Sequence, residues 1–361
     1  MDNEKKMKIL FISRAYPPVV GGIENQNYEL SQWIPRHAEL ETIINTKGKK
    51  FIPIFFPYAF IKGLFIAPKC DAILLGDGVL SIIGWLLKIF TKTPVISVVH
   101  GLDLTFKLSL YQKLWVGFFI PQMDKLIAVG NTTIDEGTKR NIAKEKFVFI
   151  PNGVDPDRFF EKHAKEELEK ITNLDLQGKK VILTLGRLAK RKGVAWFIEN
   201  VVPKLDSNTL YVIAGDGADK ENIKRAIKEN KLEERVRLYT SISDDEKKIL
   251  YNTVDMFVQP NIKVEGDMEG FGLVVIEAAS CERVVLASQL EGLKDSIIPG
   301  KNGFLAESEN AEQYAKKINA LLLEDDLRGD FGVQARKYVK ENLSWNKITE
   351  KYIKEIKKAI S

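Results

Sequence analysis

Two charged stretches carry residue types and spacings suited to an anionic, hydroxyl-rich ligand. The first is Gly186-Arg187-Leu188, followed by Lys190-Arg191-Lys192-Gly193. The apolar run before it, strand Val181–Gly186, has the length of a buried strand, and a helix is expected near Gly193. In an open α/β sheet, ligands bind beyond the carboxyl ends of strands. There, Arg187 offers a planar fork of donors and Lys192 a point charge, together able to neutralise a diphosphate. A solvated basic loop is the plainer alternative.

The second stretch runs from Glu269 through Gly270, Phe271, Gly272 and Leu273 to Glu277. A strand is expected before it at Met256–Gln259, and a helix opens near Gly272. The glycines let backbone come close to a ligand, and free N–H groups at a helix start suit phosphate or a sugar hydroxyl. Glu277 falls in the first two turns, where a carboxylate is a bidentate acceptor for vicinal ribose hydroxyls. An exposed helix carboxylate is the alternative, but the apolar residues on both sides argue against a simple solvent face. His100 ends the run Val95–Val99 and precedes Gly101; taken alone it reads first as a satisfied structural histidine, with a ligand contact second. Asp103 either orients it or caps the next helix, with the cap favoured. His37 and His163 have no metal-ligand spacing and read as structural or exposed.

The elements that position these residues alternate strand and helix. In the first half, strands are expected at Lys8–Ser13, 41–45, Ala72–Leu75, Val95–Val99, 125–129 and 147–150. Helices fall at 23–34, 79–90, 108–120 and 132–142. After a polar stretch at 156–177, which reads as an interdomain linker, strands recur at 210–214, Val236–Tyr239 and 284–287. A helical end covers about 313–360. This alternation predicts parallel sheets with helices on both faces. The 361 residues fit two domains, set at 1–155 and 178–340, with 341–361 as a terminal helix.

Composition narrows the class. The chain is 45% hydrophobic and 29% charged, a globular balance, and its net charge of +5 does not imply nucleic acid. Residues 1–150 hold 19 Lys+Arg against 13 Asp+Glu, a net of +6 that leaves −1 for the remainder. An anionic partner would therefore meet the first half. Two cysteines far apart and a charged start at Met1–Lys8 without a signal-peptide pattern predict a cytoplasmic protein.

In their order along the chain, these segments resemble the family-four retaining glycosyltransferases of GT-B fold. The resemblance rests on Gly186-Arg187-Leu188 with Lys192-Gly193, on Gly215-Asp216-Gly217, on Glu269 through Glu277, and on Asn302-Gly303-Phe304-Leu305. In the first half it rests on Gly21-Gly22-Ile23-Glu24, His100-Gly101-Leu102-Asp103 and Pro151-Asn152-Gly153-Val154-Asp155. It covers nearly the whole chain. It implies an α/β fold of two Rossmann-like doubly wound domains facing across a cleft, with the C-terminal helix crossing back to the first. It implies that Arg187 and Lys192 hold the diphosphate of a nucleotide sugar and Glu277 its ribose. Glu269, with the amides of Phe271, Gly272 and Leu273, would hold the donor sugar and β-phosphate. Gly270 and Gly215 belong to the same donor set, and His100 would touch the donor sugar. Gly21 and Gly22 would let the first loop approach the diphosphate and acceptor, with Glu24 and Asp103 as weaker acceptor contacts.

The expected reaction is hexose transfer from a UDP- or GDP-sugar to a glycan or lipid-linked acceptor, with retention. No cofactor or metal is expected, because Arg187 and Lys192 replace the cation that an Asp-x-Asp motif would hold and none stands at a strand end. Retention by a Glu269 nucleophile is the lesser route; the resemblance favours a front-face reaction in which the leaving phosphate takes the acceptor proton. A GT-B epimerase or phosphorylase is the alternative enzyme, and a sugar-nucleotide-binding scaffold the alternative outside catalysis.

The acceptor half departs from the family pattern. The loop after the first helix lacks the usual Gly-His pair, and residues 45–68 are idiosyncratic. Within them, 51–68 is aromatic and apolar with prolines at 53, 57 and 68. Proline is expected to forbid a long regular helix there. The stretch reads as a buried irregular connection or as an exposed patch that touches lipid. With the basic first half, the second reading makes peripheral association with the inner, anionic face of a membrane an expectation.

Overall fold

The computed structural model describes residues 6–19 and 21–360. The charged start at residues 1–5 and Val20 of the first loop lie outside them. The chain forms two compact units, residues 1–153 with 345–361, and residues 154–344.

The first unit holds a six-stranded sheet in the order β2-β1-β3-β4-β5-β6. These strands are β1 (Lys8–Ser13), β2 (Glu39–Ile44), β3 (Ala72–Leu75), β4 (Val95–Val99), β5 (Lys125–Ala128) and β6 (Phe147–Phe149). All its pairings are parallel. The apolar runs of β3 and β4 are buried along their whole length, as a sheet covered on both faces requires. One face carries α1 (Gly22–Trp33) and the final helix Trp345–Ile360, around Leu30, Ile34, Trp345, Ile348 and Ile356. The other carries α2 (Ile52–Ile66) and α3 (Ser81–Thr91), around Phe55, Ala59, Ile83 and Leu87. The short helix α4 (Gly101–Thr105) follows β4, and a π-helix spans Gln112–Phe119.

α2 overturns the expectation that proline prevents a helix at 51–68. Pro53 sits in the first turn, where its missing N–H would have had no partner. Pro57 lies inside the helix and Pro68 in the 3₁₀ turn after it. Buried Phe55, Ala59 and Gly63 recur every fourth residue and bind the helix to the sheet, a packing gain that outweighs the single donor lost at Pro57.

The second unit holds β7 (Lys180–Leu185), β8 (Thr209–Ala214), β9 (Val236–Tyr239), β10 (Met256–Gln259), β11 (Val284–Ser288) and β12 (Phe304–Ala306). Their order is β12-β11-β10-β7-β8-β9, again parallel throughout. β12 is the strand missed in the sequence, since two of its three residues fall within the Asn302-Gly303-Phe304-Leu305 turn signal. The expected linker at 156–177 is part of this unit. Phe159, Leu168 and Leu176 are buried in its core, and helix Lys165–Thr172 occupies the middle of the stretch. Its charged residues form the outer face of that amphipathic helix, which is why composition resembled a linker.

Candidate functional site

In the second unit, strand order reverses between β7 and β10, the switch point at which open α/β sheets bind ligands. The backbone leaving β7 is shaped by glycine. Gly186 has φ +135° and Gly215, at the end of β8, φ +146°. A Cβ at Gly215 would lie 1.9 Å from the Gly186 carbonyl oxygen. That approach lets the Gly186 N–H donate to the Ala214 carbonyl at 2.9 Å and the Leu188 N–H to the Asp216 carbonyl at 2.9 Å. Arg187 emerges from this lacing exposed, with no ion pair or hydrogen bond to its side chain among the described residues.

Lys192 has a different setting. It ends the 3₁₀ turn Lys190–Lys192, and Gly193 follows at φ +65°, where a Cβ would meet the Pro260 carbonyl oxygen at 2.0 Å. The lysine is buried, and its Nζ lies 2.5 Å from Oε2 of Glu269. The same oxygen accepts from Arg191 Nη1 and, at 3.0 Å, from Asn261 Nδ2. Asn261 is held in turn by Gln259 Nε2, which donates to its Oδ1 at 2.6 Å. Arg191 Nε donates to Asp267 at 3.0 Å, and the Glu269 amide donates to Glu291 Oε2 at 2.6 Å. Burial pushes the Glu269 carboxyl up, but Lys192 and Arg191 hold it below the usual carboxylate range. Burial presses Lys192 below the ordinary lysine range, and Glu269 opposes this.

Lys192 and Glu269, expected as separate ligand contacts, are therefore brought together as one ion cluster. Arg191, Asn261 and Glu291 complete it. Sequence reasoning gave none of the three a role; Arg191 stood in the basic stretch and Asn261 just past the end of β10, while Glu291 offered no signal.

Helix Leu273–Ser280 starts from Gly272, at φ +77°. Gly270 has open space where a Cβ would project, while the Phe271 side chain is buried in the core and Leu273 packs against it. Partly buried Glu277 accepts from the Tyr251 hydroxyl at 2.9 Å. Burial raises its carboxyl above the ordinary value, against the pull of Tyr251.

The first unit has its own switch point, between β1 and β3. Arg14 follows β1 and donates from Nε to Asp77 Oδ1 at 2.9 Å, just beyond β3. Asp77 is fully buried. Burial raises its carboxyl, and Arg14 offsets part of the rise. His100 follows β4, and its Nε2 is buried without a hydrogen-bond partner, as is Asp77 Oδ2. Asp103, expected as a weak acceptor contact, is instead buried, and its Oδ2 accepts from the amides of His100 at 2.9 Å and Gly78 at 3.1 Å. It caps α4 and braces the turn after β3. Neither Arg14 nor Asp77 was singled out in the sequence, although both stand just past strand ends.

Gly21 precedes α1, and Glu24 folds back over it, its Oε2 2.2 Å from where a Gly21 Cβ would be. A carboxylate in the first turn of a helix is favoured by the helix dipole. Gly22 has open space around its Cα. His37 contacts Asn346 at 3.2 Å and His163 contacts Glu167 at 3.1 Å.

Two doubly wound parallel sheets, each with a polar cluster at its switch point, are the architecture of the GT-B fold. Residues 165–338 match the family described as Glycosyl transferases group 1, and residues 20–158 match Glycosyltransferase Family 4. The chain belongs to this group 1, family 4 class of glycosyltransferases. An uncharacterized glycosyltransferase of Methanocaldococcus jannaschii is 24% identical over 98% of this chain and 99% of its own. The capsular polysaccharide biosynthesis glycosyltransferase CapM of Staphylococcus aureus is 25% identical over 98% of this chain and 97% of its own. Among solved structures, Anabaena HepE in complex with UDP superposes with a TM-score of 0.76 at 17% identity, covering 98% of this chain and 100% of that one.

Proposed function

We propose that the protein transfers a hexose from a UDP- or GDP-sugar to a glycan or lipid-linked acceptor, with retention and without a metal ion. One observation carries the reading: exposed Arg187 has no side-chain partner among the described residues and stands at the switch point of the second unit, a few residues from buried Lys192 in its cluster with Glu269 and Arg191. An unpaired guanidinium at that position suits a diphosphate, bidentately. The UDP complex of HepE and the capsular role in the name of CapM support the donor and acceptor classes.

The reaction breaks the bond from the anomeric carbon to the phosphate oxygen and forms one to the acceptor oxygen. Fixed cations at the leaving diphosphate lower that barrier, a task assigned to Arg187 with Lys192. For Lys192 to serve, its charge must be shared between Glu269 and the incoming phosphate, and Arg191 compensates Glu269 meanwhile. Glu277 is assigned to the ribose: Tyr251 occupies one of its oxygens and the other has no partner among the described residues. In the first unit, the unpartnered Nε2 of His100 suits a sugar hydroxyl.

Three donors on Oε2 make Glu269 a weak nucleophile and a weak base. That supports the front-face course, in which the departing phosphate accepts the acceptor proton. An epimerase or phosphorylase remains the alternative, and donor choice decides between them. The test is calorimetric titration of UDP, GDP and ADP with and without EDTA, followed by turnover of the matching sugar conjugates. EDTA-resistant binding of UDP or GDP and transfer with retained anomeric configuration are expected. Binding that requires a divalent ion, or phosphorolysis in place of transfer, overturns the reading.

A further inference from the structure

Thirteen of the twenty large apolar side chains exposed among the described residues lie between residues 51 and 118. They are ordered rather than scattered. On α2, Ile54, Tyr58, Ile61 and Phe65 are 65%, 50%, 56% and 70% exposed. Their spacing of four, three and four residues puts them in one stripe along the helix. The opposite stripe of α2, Phe55, Ala59 and Gly63, is buried. A second outer row, Leu110, Leu114 and Phe118, runs at every fourth residue into the π-helix. Between the two rows lies the end of α3, with Ile89 and Phe90 exposed. Phe60 of α2 packs on Phe90, and Trp85 of α3 packs edge-on against Phe118, with ring centroids 5.9 and 5.5 Å apart. The apolar band is thus continuous across three helices.

The charge around this band is mostly basic, with Lys88 paired to Asp124 at 2.6 Å. Residues 52–66, 81–91 and 109–119 contain Lys62, Lys88 and Lys113 and no Asp or Glu. Lys47, Lys49, Lys50, Lys69 and Lys107 are exposed at the ends of these segments. The Lys62 ammonium sits 5.7 Å from the ring centroid of Tyr58. An apolar band fringed by lysine matches a lipid interface with anionic headgroups.

We propose that this three-helix face of the first unit docks on an anionic lipid bilayer, α2 lying along the interface. The helical stretch Lys49–Lys69 is long and apolar enough to cross a membrane, but it is held in the fold. A Cβ at Gly63 would lie 2.8 Å from the Leu87 side chain, so the α2 backbone packs directly on that side chain of α3, and pulling α2 into a span would dismantle that side of the sheet. A second copy of the chain fits less well, because a twofold contact would set lysine fringe against lysine fringe. The docking goes beyond donor chemistry and needs no nucleotide sugar.

The test is cosedimentation of the full chain with vesicles of phosphatidylcholine, and with vesicles in which phosphatidylglycerol replaces a third of it, without donor. Binding to the anionic vesicles that weakens with salt is expected. Ile61→Glu with Phe65→Glu should lower it by at least about tenfold. Replacing Lys47, Lys49 and Lys50 by serine should lower it by about fivefold per lysine. Leu323→Glu with Leu327→Glu, at exposed apolar positions of the second unit, should leave it unchanged. UDP affinity and melting temperature of every variant should match the parent, which separates this proposal from the donor reading. Absence of binding to either vesicle overturns it. So does a Glu variant that binds as well as the parent, or a parent that dimerises through this face in sedimentation velocity without binding vesicles.

Discussion

The two units use one architecture for opposite purposes. Both wind helices over a six-stranded parallel sheet, but the first runs β2-β1-β3-β4-β5-β6 and the second β12-β11-β10-β7-β8-β9. Each order has one reversal, and the reversals carry different chemistry. In the first unit the reversal is sealed by a buried pair, Arg14–Asp77, beside a histidine with an unpartnered nitrogen. In the second it carries four cations, Arg187 and Lys190 exposed and Arg191 and Lys192 tied to Glu269. The outer surfaces differ as well: the first unit leaves an apolar band in water, while the second exposes five of the twenty large apolar side chains. The same sheet therefore carries a basic cluster at one reversal and a buried carboxylate at the other, and the difference lies in the loops and helices that leave the strand ends.

The strongest way to break this comparison is Glu269→Ala. It leaves buried Lys192 without its partner and partly buried Arg191 with Asp267 alone, and removing one member of a buried ionic cluster typically costs about 3–5 kcal/mol. Chemical denaturation should show that loss in the second unit. The pH dependence sharpens it. Because the folded-state carboxyl is held below its ordinary 4.5, the stabilisation it brings is present above that value and disappears as pH falls through the folded-state value. Glu269→Gln should lack this acid step. A parent protein without it would mean that the cluster is not ionic.

Next in size is Arg187→Ala, expected to lower kcat by about 10²–10³ if the guanidinium stabilises the leaving diphosphate. Stability should hardly change, since the side chain is exposed and unpaired. The opposite pattern, intact turnover with lost stability, would remove the distinction between an open cation at 187 and a closed cluster at 192. Glu277→Gln should weaken nucleoside diphosphate binding by roughly tenfold or more, the scale of a hydrogen bond to a charged group. Because burial raises the Glu277 carboxyl, parental affinity should already decline as pH falls through the weakly acidic range, and the glutamine variant should be flat there. His100→Ala, in the first unit, is expected to lower kcat/KM by about tenfold, near the value of one neutral hydrogen bond, with UDP binding by calorimetry unchanged.

How much of this could be read from residues alone depends on the physical property each signal measures. Eleven of the twelve strands were legible, the central ones because a strand buried on both faces is a short apolar run bounded by polar residues, and edge strands β2 and β9 from their place in the strand–helix alternation. The glycines at 186, 215 and 272 were legible because their surroundings demand them. The partners of the charges were not. Nothing in the order of residues says that Lys192 and Glu269, 77 positions apart, share an oxygen contact with Arg191. Asp103 was read partly as an acceptor contact because a motif does not reveal which backbone amides lie within reach. α2 was missed for the opposite reason: a local rule about proline was applied where tertiary packing decides.

The smallest expected effect bears on that helix. Ile61→Ser with Phe65→Ser should change unfolding free energy by no more than about 0.5 kcal/mol per site, the range of surface substitutions that remove no buried contact. Gly63→Leu, one stripe round the same helix, should be strongly destabilising because Leu87 occupies the space a side chain would need. Thermal melts of the two variants measure the asymmetry directly. If the serine pair proves as costly as the leucine, the outer stripe is part of the core and the first unit is no more surface-seeking than the second. If it proves neutral, Ile61 and Phe65 add exposed apolar area without adding stability, an arrangement that favours aggregation in water alone. Large side chains held in water at no benefit to folding need some other contact to account for them.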